Sequence, residues 1–182
     1  AAGRRDQPDG RFRQHELTGV IRVLTPVLLA LAACGQPATS APTATATPGY
    51  DFPALTGRVV DRADILPIAD EARIVAKSDA LERSTGHQFV VVTIPTLGGH
   101  AIEDYSQALG NNWGVGRKGA NDGVLLVVAP TERKVRIEVG KGLEATLTNA
   151  EAQRIIDTGI LPAFRSGDFV DGIDRGVDGL RV

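Results

Sequence analysis

Residues 123–140, GVLLVVAPTERKVRIEVG, contain two strand patterns joined by a short turn. The first, Gly123 to Ala129, is apolar without interruption, which is typical of a strand that is covered on both faces. From Arg133 to Gly140 apolar and charged residues alternate, as in a strand with one face on the core. The turn at Pro130-Thr131-Glu132 is too short for a parallel crossover, so the two strands are predicted to pair antiparallel.

Upstream of this hairpin, two apolar runs alternate with two helical patterns. Strands are predicted at Arg58 to Asp61 and at Gln88 to Ile94. One helix is predicted from Pro67 to a stop at Gly86, because proline suits a first helical turn and glycine ends a helix well. The spacing of apolar residues predicts a second helix from Ile102 to Trp113.

Two more helices are predicted downstream, at residues 148–165 and 168–181. The last one carries Gly172, Gly176 and Gly179, which indicates either close helix packing or a marginal helix. The full order, β-α-β-α-β-β-α-α, predicts one α/β/α sandwich with a four-stranded mixed sheet and helices on both faces.

The amino-terminal segment has the pattern of a targeting signal. Val23 to Ala33 is an uncharged run of eleven residues, too short to span a bilayer but suited to a secretory signal. Leu31-Ala32-Ala33-Cys34 resembles a bacterial lipobox, so residues 1–34 are predicted to be a signal peptide and Cys34 the lipid-modified residue. The alternative is a plain signal with a chance cysteine.

Residues 35–52, rich in Ala, Pro and Thr, are predicted to be a flexible linker before a domain at residues 53–182. We therefore expect an extracytoplasmic protein, lipid-anchored to the inner or outer leaflet of a bacterial cell envelope membrane. The chain after Cys34 carries a net charge of −4, which argues against nucleic acid as a partner.

The common sequence motifs for catalysis and cofactor binding do not assign a function to this chain. Gly114 to Gly119 matches G-x-G-x-x-G, but it follows a helix and precedes a strand, which is the reverse of a dinucleotide site. His87 opens an apolar strand and is predicted to be a hydrogen-bonded structural residue. His100, beside two glycines, is predicted to be a solvated loop residue.

Oxygen-bearing side chains occur at the ends of the predicted elements. They are Asp61 at the end of the first strand, Asn121-Asp122 before the third, Glu138 within the fourth and Glu144 after it. Carboxylate and amide oxygens without Cys or His suit hard cations such as Ca²⁺ or Mg²⁺. A site that joins these acids is one interpretation, and ordinary turn chemistry before glycine is the other.

Five stretches of the chain resemble the TPM domain family, whose members include a thylakoid-lumen acid phosphatase and a photosystem II repair protein. The stretches are residues 55–63, 102–105, 113–119, 122–129 and 133–144. The resemblance implies an α/β/α sandwich, usually membrane-tethered, with an acidic site for a divalent cation and, in some members, weak phosphomonoesterase activity. The family commonly has Asp-Asn-Gly where this chain has Asn121-Asp122-Gly123, and glycine where it has Ala145.

Two functions are compatible with the sequence. In the first, Ca²⁺ or Mg²⁺ bound by Asp61, Asp122 and Glu138 or Glu144 activates water for phosphomonoester hydrolysis. Asp61 and Asp122 are then catalytic, and Arg117 or the adjacent lysine holds the phosphate. In the second, the chain is a non-catalytic accessory module for assembly or turnover of a membrane protein complex.

Overall fold

A computed structural model describes residues 49–181. The predicted signal peptide, Cys34 and most of the predicted linker lie outside these residues. The strands are β1 (Val59–Asp61), β2 (Phe89–Thr93), β3 (Val124–Ala129) and β4 (Lys134–Val139). The helices are α1 (Ile68–Thr85), α2 (Ile102–Trp113), α3 (Asn149–Ile155), α4 (Leu161–Arg165) and α5 (Phe169–Gly179), with a π-helical turn, Ile156–Ile160, between α3 and α4.

The four strands form one mixed sheet in the order β1-β2-β3-β4. The pairs β1–β2 and β2–β3 are parallel. The hairpin β3–β4 is antiparallel, with Val124 opposite Val139 and Ala129 opposite Lys134. The predicted fold class and the antiparallel hairpin are therefore confirmed.

Two hydrophobic cores lie on opposite faces of the sheet. One face packs against α1, α3 and α5 through residues that include Ile74, Ile155 and Ile173. The other packs against α2 through Ile102 and Leu109. No helix formed by residues 49–181 is both long and apolar enough to cross a bilayer.

The two crossovers that join the parallel strands have opposite hands. Both step in the same direction across the sheet, but α1 passes over one face and α2 over the other. One of them is therefore left-handed, whereas nearly all such connections are right-handed. Consequently the chain leaves β1 toward one face and leaves the neighbouring β2 toward the other.

The glycines of α5 allow close helix packing. A Cβ at Gly172 would lie 2.5 Å from the ring of Phe164, and one at Gly176 would lie 2.8 Å from Ile160. Of the two explanations for these glycines, the structure therefore supports close packing. The predicted continuous helix at 148–165 is interrupted by the π-helical turn just before Pro162, a residue that has no N–H to donate.

Candidate functional site

Asp61 lies at the carboxyl end of β1 and holds the loop that leads into α1. Its carboxylate accepts hydrogen bonds from the Ile65 N–H at 3.3 Å, from the Leu66 N–H at 2.8 Å and from the Thr93 hydroxyl. The same hydroxyl oxygen accepts from the Ala63 N–H at 3.0 Å. Both carboxylate oxygens of Asp61 thus have internal donors, which gives this side chain a structural role.

Asp122 lies just before β3 and is 3% exposed. Its Oδ1 accepts from the Arg117 N–H at 2.8 Å, and its Oδ2 accepts from Arg117 Nε at 2.6 Å and lies 3.2 Å from His87 Nδ1. The Arg117 guanidinium holds the pKa of Asp122 well below its usual range, although burial opposes this. Asp122 therefore stays ionised, and it fixes Arg117 and the loop between α2 and β3.

The structure places Asp61 and Asp122 at opposite ends of the sheet. Asp61 is level with Thr93 and Val128, and Val128 is six residues along β3 from Asp122. At roughly 3.3 Å per residue this is a separation of about 20 Å. The prediction that these two carboxylates share one ion is wrong. Asp61 is the last residue of β1, and Asp122 precedes β3, which runs in the same direction as β1. The two carboxylates therefore lie at opposite ends of the sheet and cannot bind the same ion.

The other two predicted ligands, Glu138 and Glu144, share one concavity. Both line a concavity of about 430 Å³ between α2 and the sheet, with Asn111 and Asn121 on its wall. Glu138 also accepts a hydrogen bond from Arg136 Nε at 2.8 Å. Within residues 49–181, no three His, Cys, Asp or Glu side chains form a group that could hold a metal ion.

Glycines join two loops at the amino end of β3, and we call residues 114–123 and 140–142 the glycine junction. A Cβ at Gly140 would lie 2.1 Å from the Asn121 carbonyl oxygen, and one at Gly142 would lie 2.0 Å from the Ala120 carbonyl oxygen. Gly116 donates its N–H to the Gln88 side chain at 2.7 Å. Of the G-x-G-x-x-G run, Gly116 takes part in this close contact, since a Cβ there would lie 2.5 Å from the Gly123 nitrogen, whereas Gly114 and Gly119 have open space.

The opposite end of the sheet carries a crevice of about 500 Å³, which we call the carboxyl-end crevice. Its lining includes Arg62 after β1, and Thr96, Gly98 and His100 after β2. Because the connections after β1 and β2 diverge to opposite faces, the crevice lies at a topological switch point, where ligands of open α/β sheets bind. The sequence pattern does not indicate this crevice, since it depends on the faces that α1 and α2 take.

Residues 49–53, which we call the N-terminal strap, form one wall of that crevice. The Tyr50 ring stacks on His100 with centroids 4.2 Å apart, and Trp113 Nε1 donates to the Pro53 carbonyl at 2.9 Å. The His100 ring also lies 2.9 Å from the Gly49 carbonyl, so His100 is a packed residue rather than the solvated one that was predicted. The end of the predicted linker therefore lies on the domain.

Two further polar groups support the two ends of the sheet: Glu132, whose role the sequence did not reveal, and His87, whose structural role was predicted. The Glu132 carboxylate accepts from the Thr96 hydroxyl at 2.7 Å and from the Leu97 N–H at 2.9 Å, which orders a wall of the crevice. The Thr96 hydrogen bond is the main reason that the pKa of Glu132 is lowered. His87 contacts Asp122, as expected of a structural histidine.

These features define a class: a four-stranded α/β/α domain with an open crevice at one end of its sheet and a glycine-linked loop pair at the other. The model of the TPM domain family matches residues 59–182. The chain therefore belongs to the TPM domain family, and the resemblance found in its sequence is confirmed. No curated protein matches the chain significantly.

Solved structures that are similar to this chain include the following three. The N-terminal domain of a protein from P. gingivalis is 37% identical, with a TM-score of 0.65 over 69% of this chain and 80% of that one. The N-terminal domain of the cg2496 protein from Corynebacterium glutamicum is 19% identical, with a TM-score of 0.57 over 76% and 87%. The BA42 protein from Bizionia argentinensis is 21% identical, with a TM-score of 0.54 over 63% and 77%. The last two show the fold alone.

Proposed function

We propose that this chain is a membrane-tethered accessory module that binds a membrane protein complex through the carboxyl-end crevice. One observation carries the proposal: Asp61 and Asp122 lie about 20 Å apart along the parallel strands. Each also accepts hydrogen bonds from internal donors. Hydrolysis by a single ion would need these carboxylates together, whereas here each one orders a separate loop.

The crevice has the features of a site for a segment of another protein. It lies open at a switch point and is lined by the exposed Arg62, which forms no ion pair with any residue in the range 49–181. An exposed cation in an open crevice suits a peptide that carries an acidic side chain.

The tether that we propose is a lipid on Cys34, followed by the linker. It would hold the domain at the inner or outer leaflet of a bacterial cell envelope membrane, on its extracytoplasmic side. Mass spectrometry of protein from bacterial membranes tests this. We expect a diacylated Cys34 in the wild type and loss of the membrane fraction in Cys34→Ser; an unmodified cysteine in the membrane fraction would refute the anchor.

Site-specific photo-crosslinking in membranes tests the crevice. A photoreactive residue at Thr96, in the crevice, is expected to give a discrete adduct with a membrane protein. The same residue at Arg83, an exposed position on α1, serves as the control. Equal adducts at the two positions would refute the crevice as the binding site.

A second candidate function is phosphomonoester hydrolysis supported by a divalent cation. It is favoured by the concavity that Glu138, Glu144 and Asn121 line, because their side chains carry the carboxylate and amide oxygens that Ca²⁺ and Mg²⁺ prefer. Of the two predicted phosphate partners, Arg117 is already bound to Asp122 and Lys118 is exposed, but neither lines the concavity; the cation that does line it is Lys141. In this version Asp61 takes no part.

Calorimetric titration of the full chain with Ca²⁺ and Mg²⁺, with p-nitrophenyl phosphate turnover measured in parallel, tests this candidate. We expect Glu138→Gln to weaken cation binding about tenfold, as loss of one charged ligand should. Asp61→Asn is the control and should bind as the wild type does. No heat with either cation, or equal binding by Glu138→Gln, would refute the site.

A further inference from the structure

A third concavity, of about 600 Å³, lies on the other side of the molecule from α2, between the β3–β4 hairpin and the junction of α4 with α5. We call it the basic groove and define it by five lining residues: Arg133, Lys134, Phe164, Arg165 and Phe169. None of the described residues that line it is Asp or Glu. It shares no lining residue with the crevice or the Glu138 concavity, so binding in the groove is independent of the proposed function.

The three cations of the basic groove have no ion-pair partner within residues 49–181. Cations elsewhere in these residues are commonly paired: Lys77 contacts Asp174 at 2.7 Å and Asp178 at 2.9 Å. The chain after Cys34 is acidic overall, with a net charge of −4. Three unpaired positive charges that share one concavity therefore stand out, and their mutual repulsion favours a bound anion.

The acids nearest in sequence are engaged elsewhere. Glu132 accepts from Thr96 and Leu97, on the crevice side, although its charge also interacts with Lys134. Asp168 caps α5 by accepting from the Asp171 N–H at 2.9 Å. Neither carboxylate pairs with a guanidinium of the groove.

The backbone at Arg133 is a second, independent observation. Its φ is 53°, in the left-handed region that glycine and asparagine adopt at less cost. The hairpin turn that holds it in place includes a hydrogen bond from its N–H to the Pro130 carbonyl at 3.2 Å. Glycine or asparagine would adopt this backbone conformation at less cost than arginine does. The presence of arginine here therefore indicates that its side chain has a function.

The groove also has an aromatic surface. The rings of Phe164 and Phe169 lie with their centroids 5.0 Å apart and are tilted by 58°. Both side chains are only half-buried. Cations beside a partly exposed aromatic pair suit a ligand with an anionic head and an apolar body.

We propose that the basic groove binds a phosphate-bearing ligand whose apolar body contacts Phe164 and Phe169. The guanidinium groups of Arg133 and Arg165 would bind the phosphate, because the planar arrangement of their N–H donors allows bidentate hydrogen bonds to two phosphate oxygens. Two sources present this chemistry: a soluble phosphomonoester and a phospholipid headgroup.

The first arm of the test is an NMR titration of the full chain with phenyl phosphate. We expect shifts at the amides of Arg133, Lys134 and Phe169, and about tenfold weaker binding in Arg165→Gln. Arg133→Asn, which keeps a residue suited to the left-handed backbone, should weaken binding similarly. Arg83→Gln, which removes an exposed cation far from the groove, should have no effect. Inorganic phosphate should bind more weakly than phenyl phosphate if the aromatic pair contributes.

The second arm measures co-sedimentation with phosphatidylcholine vesicles that contain or lack phosphatidylglycerol. Binding that needs the anionic lipid and falls in Arg165→Gln supports a headgroup as the source. Phenyl phosphate binding without that lipid dependence supports a soluble source. The proposal is overturned if neither probe binds at millimolar concentration, or if Arg83→Gln weakens binding as much as Arg165→Gln does.

Discussion

The two ends of the sheet are built by different kinds of contact. At the carboxyl end, side chains hold the loops: Asp61 and Thr93 share hydrogen bonds, and Glu132 holds Thr96 and Leu97. A crevice of about 500 Å³ remains between those loops. At the amino end of β3, the Asp122 side chain also holds a loop, but there the loop backbones in addition touch directly through glycines such as Gly140.

The comparison shows at which end of the sheet the loops can vary in shape and at which end they cannot. Loops held by side chains can vary in shape while the scaffold stays fixed, and such loops commonly carry binding sites. Backbones in direct contact leave no such freedom, because any added atom collides with a carbonyl group. We therefore place the binding function at the carboxyl end and a structural function at the glycine junction.

The largest effect is expected from Gly140→Ala. The added Cβ would lie 2.1 Å from the Asn121 carbonyl oxygen, so the two loops must separate. We expect a loss of about 3 kcal/mol or more in the free energy of unfolding, measured by urea denaturation. Gly57→Ala is the control, since its Cβ would have no atom closer than 4.0 Å. Equal stability of the two variants would show that the junction is not tightly packed.

Asp122→Asn is expected to cost about 2 kcal/mol at pH 7, because the buried carboxylate loses its charged hydrogen bond with Arg117. The pKa of Asp122 is lowered in the folded state. Its contribution is therefore complete above the unfolded pKa of about 4 and is lost as the pH falls toward the folded value.

The difference in stability between wild type and Asp122→Asn should accordingly shrink from pH 7 to pH 3. Asp64→Asn makes the same chemical change at an exposed residue and serves as the control for the substitution itself. A difference that stays constant with pH would mean that the charge of Asp122 does not stabilise the junction.

Thr93→Val tests the carboxyl end with a smaller expected effect. Valine keeps the shape of this fully buried side chain but removes the hydroxyl that donates to Asp61 and accepts from Ala63. We expect a loss of about 1–2 kcal/mol in the free energy of unfolding. Thr131→Val, at an exposed turn residue, should change it by less than about 0.5 kcal/mol. If the two variants are equally stable, the hydroxyl does not hold this loop.

Local signals predicted most of the fold. The stop at Gly86 and the bounds of α2 follow from glycine chemistry and apolar spacing, and both match the structure. The hairpin followed from the length of its turn. Each of these features depends on neighbours in the sequence, which is why the sequence alone could show them.

The candidate site was predicted less well because it depends on contacts between distant parts of the chain. That Asp122 cannot join Asp61 does follow from strand direction, since one residue precedes a strand and the other follows a parallel one. The crevice could not be predicted, because the patterns of α1 and α2 do not say which face each covers. One feature of the sequence indicated the N-terminal strap: the aromatic residues Tyr50 and Phe52 stand at the end of an otherwise polar linker, where they can pack on the domain.

Tyr50→Ala is expected to have the smallest effect, and it tests whether one wall of the crevice can detach. The substitution removes the stack on His100 at 4.2 Å and on Phe52 at 4.9 Å, worth about 1 kcal/mol. The global denaturation midpoint should barely move, because the strap lies outside the sheet. The indole N–H of Trp113, the single tryptophan of the chain, bonds Pro53 and reports on the strap directly.

Hydrogen exchange of that indole should become about fivefold faster in Tyr50→Ala, the change that about 1 kcal/mol of local stability implies. Leu55→Ala, at a partly exposed residue in the same stretch of chain, should leave the rate unchanged. An unchanged rate in Tyr50→Ala would mean that the hydrogen bonds from Trp113 to the Pro53 carbonyl and from the Tyr105 hydroxyl to the Asp51 carbonyl hold the strap without the stack. The strap would then be held as firmly as the glycine junction. The two ends of the sheet would differ in the loops that follow β1 and β2, and not in the strap.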